Sequence, residues 1–335
     1  MAISKKVYFP NQFQFAIKPE VALGTALTTT MQLLNVDGPV WATTPIIQTL
    51  DPRSGGSGMV LAAADIHTSQ LAQRSTITVP FIVDTAAATL TPLLENVIGA
   101  ATSTSPASID LAHNYTFTEL AFEEAVATNL GTFSLACISP ISAESVIIPG
   151  CACTAITLTM DMGTESGLMH ANATFETGFR PAAGAAAPTG MTAYGTTHRY
   201  LTLLTTKKNI GGVDVILNKM ELTFGNPLVT SGFQGTYGEP EIYQRANPKN
   251  FCTGVFGVKY DDNTANIWES WRAGTDVAVE ISNNATFTEA TFGFKAAMGR
   301  ITGDLAPAGT DQGMYVDIPL EFAAGISGDI FQYVP

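Results

Sequence analysis

Histidines, cysteines and neighbouring acids are the side chains whose types could make this chain an enzyme or a metal protein, so their spacing is considered first. His67, His113, His170 and His198 are dispersed. None falls in HExxH or beside a cysteine at ligand spacing, the patterns that bring zinc ligands together. Cys137, Cys151, Cys153 and Cys252 lack zinc-ribbon spacing. Cys151 and Cys153 would share one face of a strand, half of a metal site, but small buried thiols of a reduced protein explain them more simply. The stretch RSGGSG (53–58) is glycine-rich without the GK[ST] that a phosphate loop needs for its lysine and its magnesium-binding hydroxyl, so it reads as a loop tip. Glu123/Glu124 and Asp261/Asp262 are adjacent acids. Neighbours on a strand point to opposite faces, and the Asp pair suits a helix cap better than acid/base work. No Ser-His-Asp or Cys-His set can be assembled, so no catalytic residue, cofactor or metal is expected.

Composition directs attention from chemistry to surfaces. Charged residues make up 13% of the 335 residues, against about 25% in ordinary soluble proteins, while the hydrophobic fraction is 46%. Thr, Ala, Gly and Asn stand where charges are missing. A charge-poor exterior is expected to be covered by other subunits. The net charge of −13 and a pI of about 4.6 argue against binding nucleic acid by counterion release, which needs clustered Lys and Arg. The opening MAISKKVYFPNQFQF has two lysines without a following apolar run, so no signal peptide is expected. No apolar stretch approaches the ~18 residues of a membrane helix, and no membrane insertion is expected.

The elements that must position any site are mostly strands. Segments rich in Val, Ile, Thr, Tyr and Phe, several alternating with period two, lie at 7–17, 145–162, 213–224 and 314–322. Two segments read as helices. In TLTPLLENVIG (89–99), Leu90, Leu93, Leu94, Val97 and Ile98 make a helical stripe, Pro92 suits a first turn and Gly99 a C-terminal stop. In DDNTANIWESWRAG (261–274), Asp262 or Asn263 can cap the start, Ile267, Trp268 and Trp271 can face a core, and Gly274 can end the helix.

Residues 114–122, NYTFTELAF, match 284–292, NATFTEATF, at six of nine positions, 170 residues apart. A period near half the chain points to duplication of a whole domain. Both halves also read strand, helix, strand, with a separation of 18 residues from Phe81 to Gly99 and from Phe256 to Gly274. The tetrapeptide NATF recurs at 172–175, so the shortest form of the match is ordinary strand composition. Ala, Gly and Pro dominate RPAAGAAAPTGMTAYG (180–195), which reads as a linker. The expected organisation is a first β domain over 1–180, a linker over 181–195 and a second β domain over 196–335.

The segment VIIPGCACTAITLTMDMGTESGLMHANATFETGF (146–179) resembles the tail tube proteins of tailed bacteriophages, with its PGC turn, its strand alternating threonine with apolar residues, its acidic turn and its return strand ending in Gly-Phe. VALGTALTTTMQLLNV (21–36) and TITVPFIVDTAAATLTPLLENVIG (76–99) are similar to that family too. The resemblance implies a mainly β fold of two tandem tail-tube-like β-sandwich or barrel domains, each with one short flanking helix. It implies a structural virion protein made in the bacterial cytoplasm and assembled into the tail. Its implied partners are copies of itself in stacked rings, a tape-measure protein inside the tube, terminator and baseplate or tip proteins at the ends, and DNA passing without sticking.

The resemblance implies six tube domains per ring, so two duplicated domains per chain predict a trimeric, pseudo-sixfold ring. Six domains giving about four inner strands each, spaced ~4.8 Å and tilted ~45°, make a barrel near 50 Å across with a lumen near 40 Å. The repeated phrase offers a lumen or inter-strand face of Asn114, Thr116, Thr118, Asn284, Thr286 and Thr288, opposite Tyr115, Phe117, Ala285 and Phe287. Long irregular stretches at 41–73 and 225–250 offer inter-subunit anchors: Trp41, Ile46, Ile47, Phe233, Tyr237, Ile242 and Tyr243. Competing expectations are a capsid or decoration subunit, or a carbohydrate-binding adhesive sandwich.

Overall fold

Residues 145–161, where threonine alternates with apolar residues, form one 17-residue strand around which the first half of the chain is arranged. The computed structural model describes residues 13–34, 36, 48–50, 67–69, 75–83, 87–98, 102–104, 112–115, 131–141, 144–163, 167–192, 207–232, 239–240, 242–245, 252–282, 292–310, 313–322 and 331–333. The fold is mainly β. In chain order the elements are β1 (Gln14–Pro19), β2 (Gln32–Leu34), β3 (Gln48–Leu50), β4 (His67–Ser69), β5 (Ser75–Ile82), α1 (Ala87–Ile98), β6 (Thr102–Thr104), β7 (Ala112–Tyr115), β8 (Phe133–Ile138), β9 (Ser145–Asp161), β10 (His170–Thr177) and β11 (Ala182–Ala185). They continue with β12 (Lys207–Ile210), β13 (Val213–Asp214), β14 (Leu217–Gly225), β15 (Leu228–Ser231), β16 (Ile242–Arg245), β17 (Cys252–Lys259), α2 (Thr264–Ala273), β18 (Val277–Ser282), β19 (Phe292–Ile301), β20 (Pro307–Thr310), β21 (Gly313–Phe322) and β22 (Phe331–Tyr333).

The two halves repeat one pattern of pairing. The strand before α1, β5, pairs antiparallel with β10 over eight residue pairs, and the strand before α2, β17, pairs antiparallel with β21 over eight. The far side of β10 is taken by β9, with a register shift at Thr174/Phe175. The far side of β21 is taken by the end of β19 and then by β20. Strand β14 closes the gap between the halves, pairing with β17 on one edge and with β9 on the other. The result is an antiparallel ladder in the order β5, β10, β9, β14, β17, β21. Three of its strands come from each half.

A second layer covers one face of this ladder. The first part of β9 pairs with β8, β8 with β1, and β1 with β2. The edge-to-face pair Phe133–Phe175, centroids 6.1 Å apart, joins β8 to β10. In the second half β18 pairs with β12 and β19, and Phe294 of β19 meets Phe256 and Phe322 of the ladder at 6.2 and 5.0 Å. One apolar core runs through both halves, from Phe15 and Ile77 to Phe322. Such a core of fully buried Leu, Ile, Val and Phe contributes roughly 1.5–3 kcal/mol per large side chain before conformational entropy is charged against it.

Helix α1 lays its stripe of Leu90, Leu93, Leu94 and Val97 into that core, each at most 1% exposed. It begins at Ala87, so Pro92 stands inside the helix and not in its first turn. The side chain of Asn96 donates to the carbonyl of Gly131 and accepts from the Cys153 N–H at 2.9 Å. The Val97 carbonyl, one of the last that the helix leaves unpaired, accepts from Asn226 Nδ2 at 3.2 Å. The first helix is thereby tied to a residue of the second half.

Helix α2 ends as its sequence predicts. Gly274 adopts φ 63°, its N–H reaches the Trp271 carbonyl at 3.1 Å, and Thr275 N–H reaches Ser270 at 3.0 Å. Its start differs. Asn263 is the N-cap without a side-chain cap bond, because its Nδ2 donates instead to the Asp214 carbonyl at 3.0 Å. Asp261 organises the turn: its Oδ1 accepts the Asn263 N–H and its carbonyl accepts the Thr264 hydroxyl.

The alanine-rich stretch expected to be a linker is partly a strand. β11 pairs with the start of β9, Thr189 bridges to Thr29 and Thr192 to Gln32. Ala185, Ala187 and Met191 pack on Ala16, Met31 and Ile147. Alanines too small to form a core alone still fit against the back of one.

Candidate functional site: a polar face crossing both halves

Alternation gives the ladder two unlike faces. The inward residues, among them Ile77, Ala173, Ile156, Leu222, Phe256 and Ile318, are at most 1% exposed. The outward residues form cross-strand rows because the registers of five successive pairs align. One row reads Pro80, Asn172, Thr157, Thr223, Thr253, Glu321. The next reads Ile82, His170, Thr159, Glu221, Val255, Pro319. Nearer one end, Asp161, Lys219, Gly257 and Asp317 stand side by side. At the seam between the halves Thr157 Oγ1 and Thr223 Oγ1 are 3.2 Å apart.

This face is polar and mostly acidic. Its carboxylates are Asp161, Glu176, Glu221, Asp317 and Glu321, and its ammonium groups are Lys219 and Lys259. Lys219 of β14 and Lys259 of β17 are diagonal neighbours near one end of this face, and Asp161 and Asp317 stand in the same row as Lys219. A broad surface of threonine hydroxyls and carboxylates repels phosphate and offers it no chelating site. Apolar ligands fare no better on a face with few large apolar side chains.

The sequence-predicted residues fall differently. Asn114 lies in β7, paired with Thr102 of β6 and Gln332 of β22, outside the six-strand ladder. Thr116, Thr118, Asn284, Thr286 and Thr288 lie outside the described residues, as do Trp41, Ile46, Ile47, Phe233 and Tyr237. Ile242 is in β16, paired with Ser231 of β15.

Tyr243 is a correction to the list of inter-subunit anchors. It is 1% exposed within its own chain, packed with Phe179, Leu228 and Ala152, and its hydroxyl accepts the Gly178 N–H at 2.8 Å. Burial pushes its phenol up to about 12, with the Gly178 and Thr177 hydrogen bonds pulling the other way. A side chain already covered by its own chain cannot anchor a neighbour.

The ladder residues escaped the sequence reading although their signal was present. Thr157, Thr159 and Asp161, at every second position of TAITLTMD, mark a polar strand face, and Asn172 and Thr174 of the NATF at 172–175, set aside as composition, belong to the same face. Cys151 and Cys153 are wholly buried in the core, where burial pushes the Cys151 thiol up. Among the described residues no group of three or more His, Cys, Asp and Glu is placed to hold a metal, and no helix is long and apolar enough to cross a membrane. No protein-family model matches the chain, and no curated protein matches it.

Proposed function

We propose that this chain is a structural virion protein whose copies form the stacked rings of a phage tail tube, a hollow conduit for double-stranded DNA. The observation that carries the reading is the ladder itself: one antiparallel sheet, core on one face and threonine and carboxylate on the other, running without a break from the first half into the second. A sheet of this kind lines a tube when copies join edge to edge.

Edge geometry supports tandem domains and a three-chain ring. Within the chain, the halves meet where β9 of the first pairs with β14 of the second. Pseudo-symmetry repeats that joint between chains, the β19/β20 edge of one copy meeting the first-half edge of the next. The ladder and the β19/β20 edge supply seven strands among the described residues, so three chains give about 21, close to the ~24 of the ~50 Å barrel estimated above, whereas six would give a barrel of about twice that width. Joining every edge also disposes of the exposed strands that would otherwise seed aggregation.

Imaging of the assembled protein by cryo-electron microscopy tests this. Hollow tubes with three chains per layer and the Thr157/Thr223 face inward are expected. Closed shells, solitary monomers, or a layer with that face outward would refute the reading. A functional readout accompanies it: Thr157→Lys with Thr223→Lys leaves tube assembly intact and slows genome delivery, because added ammonium groups hold phosphate along the path.

A further inference from the structure

Six large apolar side chains stand exposed among the described residues: Val21, Met162, Ile216, Val229, Tyr260 and Met314. Isolated exposed residues are ordinary. These are not isolated. Met162 follows β9, and its N–H bonds the Asn218 carbonyl at 2.9 Å; the Ile216 carbonyl accepts the Lys259 N–H at 2.8 Å; Tyr260 N–H bonds the Met314 carbonyl at 2.8 Å. Four of the six therefore make one continuous row across β9, β14, β17 and β21, at a single end of the ladder.

In three of the four, the core-facing alternation runs one step past the covered core. Met160, Val258 and Val316 are at most 1% exposed, and the next residues on the same face, Met162, Tyr260 and Met314, are 44–47% exposed. The apolar stripe thus runs past the core that the described residues cover. The remaining two lie at the opposite end of the strands. Val229 adjoins Leu228, which packs with Phe179 and with Leu23, two residues from Val21, and Val21 is 95% exposed. Net charge differs between the ends as well: Asp214, Asp261 and Asp262 flank the row of four against the single Lys259, while Lys18 and Arg180 stand at the Val21 end, where the one carboxylate, Glu20, is taken up by four hydrogen bonds within its own chain.

We infer that these two ends are the two sides of one head-to-tail contact, in which the Met162/Ile216/Tyr260/Met314 row of one copy seats on the Val21/Val229 end of a second copy. A shift along the strand direction brings one patch onto the other. Two unlike patches on opposite ends give a heterologous, open-ended contact, the kind that builds filaments. Apolar overshoot meets apolar loop, and the acidic flank meets the basic one. The inference deepens the tube reading by naming the axial contact between layers, and it rests on that reading only for the arrangement within a layer.

The test uses the full chain, comparing wild type with Ile216→Asp/Met314→Asp by sedimentation velocity and negative-stain imaging. Both positions are exposed, so circular dichroism of the variant is expected to match wild type. The variant is expected to form layers that do not stack, with end-to-end association weakened at least about tenfold by carboxylates placed in an apolar contact. Stacks of wild-type length, or dissolution of the layers themselves into monomers, would overturn the assignment. A second arm mixes a Val21→Cys chain with a Met314→Cys chain under oxidation. A mixed disulfide between the two, above that of wild type with its own thiols, is expected, and its absence counts against the contact. Wild-type chains that join end to end without forming rings would defeat the tube reading and leave this inference standing. Rings that never join end to end would do the reverse.

Discussion

Replacing Tyr243 by phenylalanine removes one oxygen and leaves the ring, which sits 6.1 Å from Phe179 in an edge-to-face arrangement. The lost oxygen is the acceptor of the Gly178 N–H, in a site where both residues are buried. An unpaired buried N–H costs about 1–3 kcal/mol, and that is the loss expected at pH 7. The alkaline range supplies a second, independent signature. The folded phenol lies at about 12 against an ordinary value of 10.0. A folded pKa above the unfolded one means that the unfolded chain gives up its proton first as pH rises. The associated stability is intact below pH ~10 and is lost towards pH ~12, amounting to about 2–3 kcal/mol for two pH units. The variant lacks this group, so its disadvantage is expected to shrink or invert between pH 10 and 12. Urea unfolding of the unassembled chain at pH 7, 9, 10, 11 and 12, followed by near-ultraviolet circular dichroism, measures both effects. The buried cysteines titrate in both proteins and cancel in the difference. A variant matching wild type within about 0.3 kcal/mol at every pH would refute the argument, since surface substitutions of no consequence fall in that range.

Two further substitutions probe the turn that holds the Val21 loop. Glu20 accepts four hydrogen bonds, from Ser134 Oγ and Gly150 N–H on Oε1 at 2.6 and 2.9 Å, and from Thr132 Oγ and Gly24 N–H on Oε2 at 2.7 and 3.0 Å. Glu20→Gln turns one acceptor oxygen into a donor and is expected to cost about 2–4 kcal/mol in chemical denaturation, where a loss below about 0.5 kcal/mol would show the cluster to be dispensable. Gly150 has φ 62° and a Cβ there would enter the Phe179 ring, so Gly150→Ala is expected to lower the melting temperature clearly. Gly225→Ala, with open space around the new methyl, is the control and should leave it nearly unchanged.

Local pattern was enough to define the parts of this protein. The alternation of 145–162 and 314–322 marks strands with one buried face, and β9 and β21 occupy nearly those bounds. The stripe of Leu90, Leu93, Leu94 and Val97, and the glycine at 274, specify two helices because their cause lies within a few residues. The similar strand-helix-strand order of the halves was legible for the same reason. Partnership was not. Alternation in TAITLTMD says that Thr157 and Thr159 share a face, but the pairing of β9 with β14, some 60 residues onward, is what joins that face to Thr223 and Glu221. The aromatic pattern around Tyr243 suits a docking loop as well as a buried ring, and only the position of Gly178 and Phe179 decides between them. The row of Met162, Ile216, Tyr260 and Met314 comes from positions at or just beyond the ends of four separate strands. Its members become neighbours only because backbone hydrogen bonds between distant segments bring the strand ends level, a long-range condition that no short window of sequence contains.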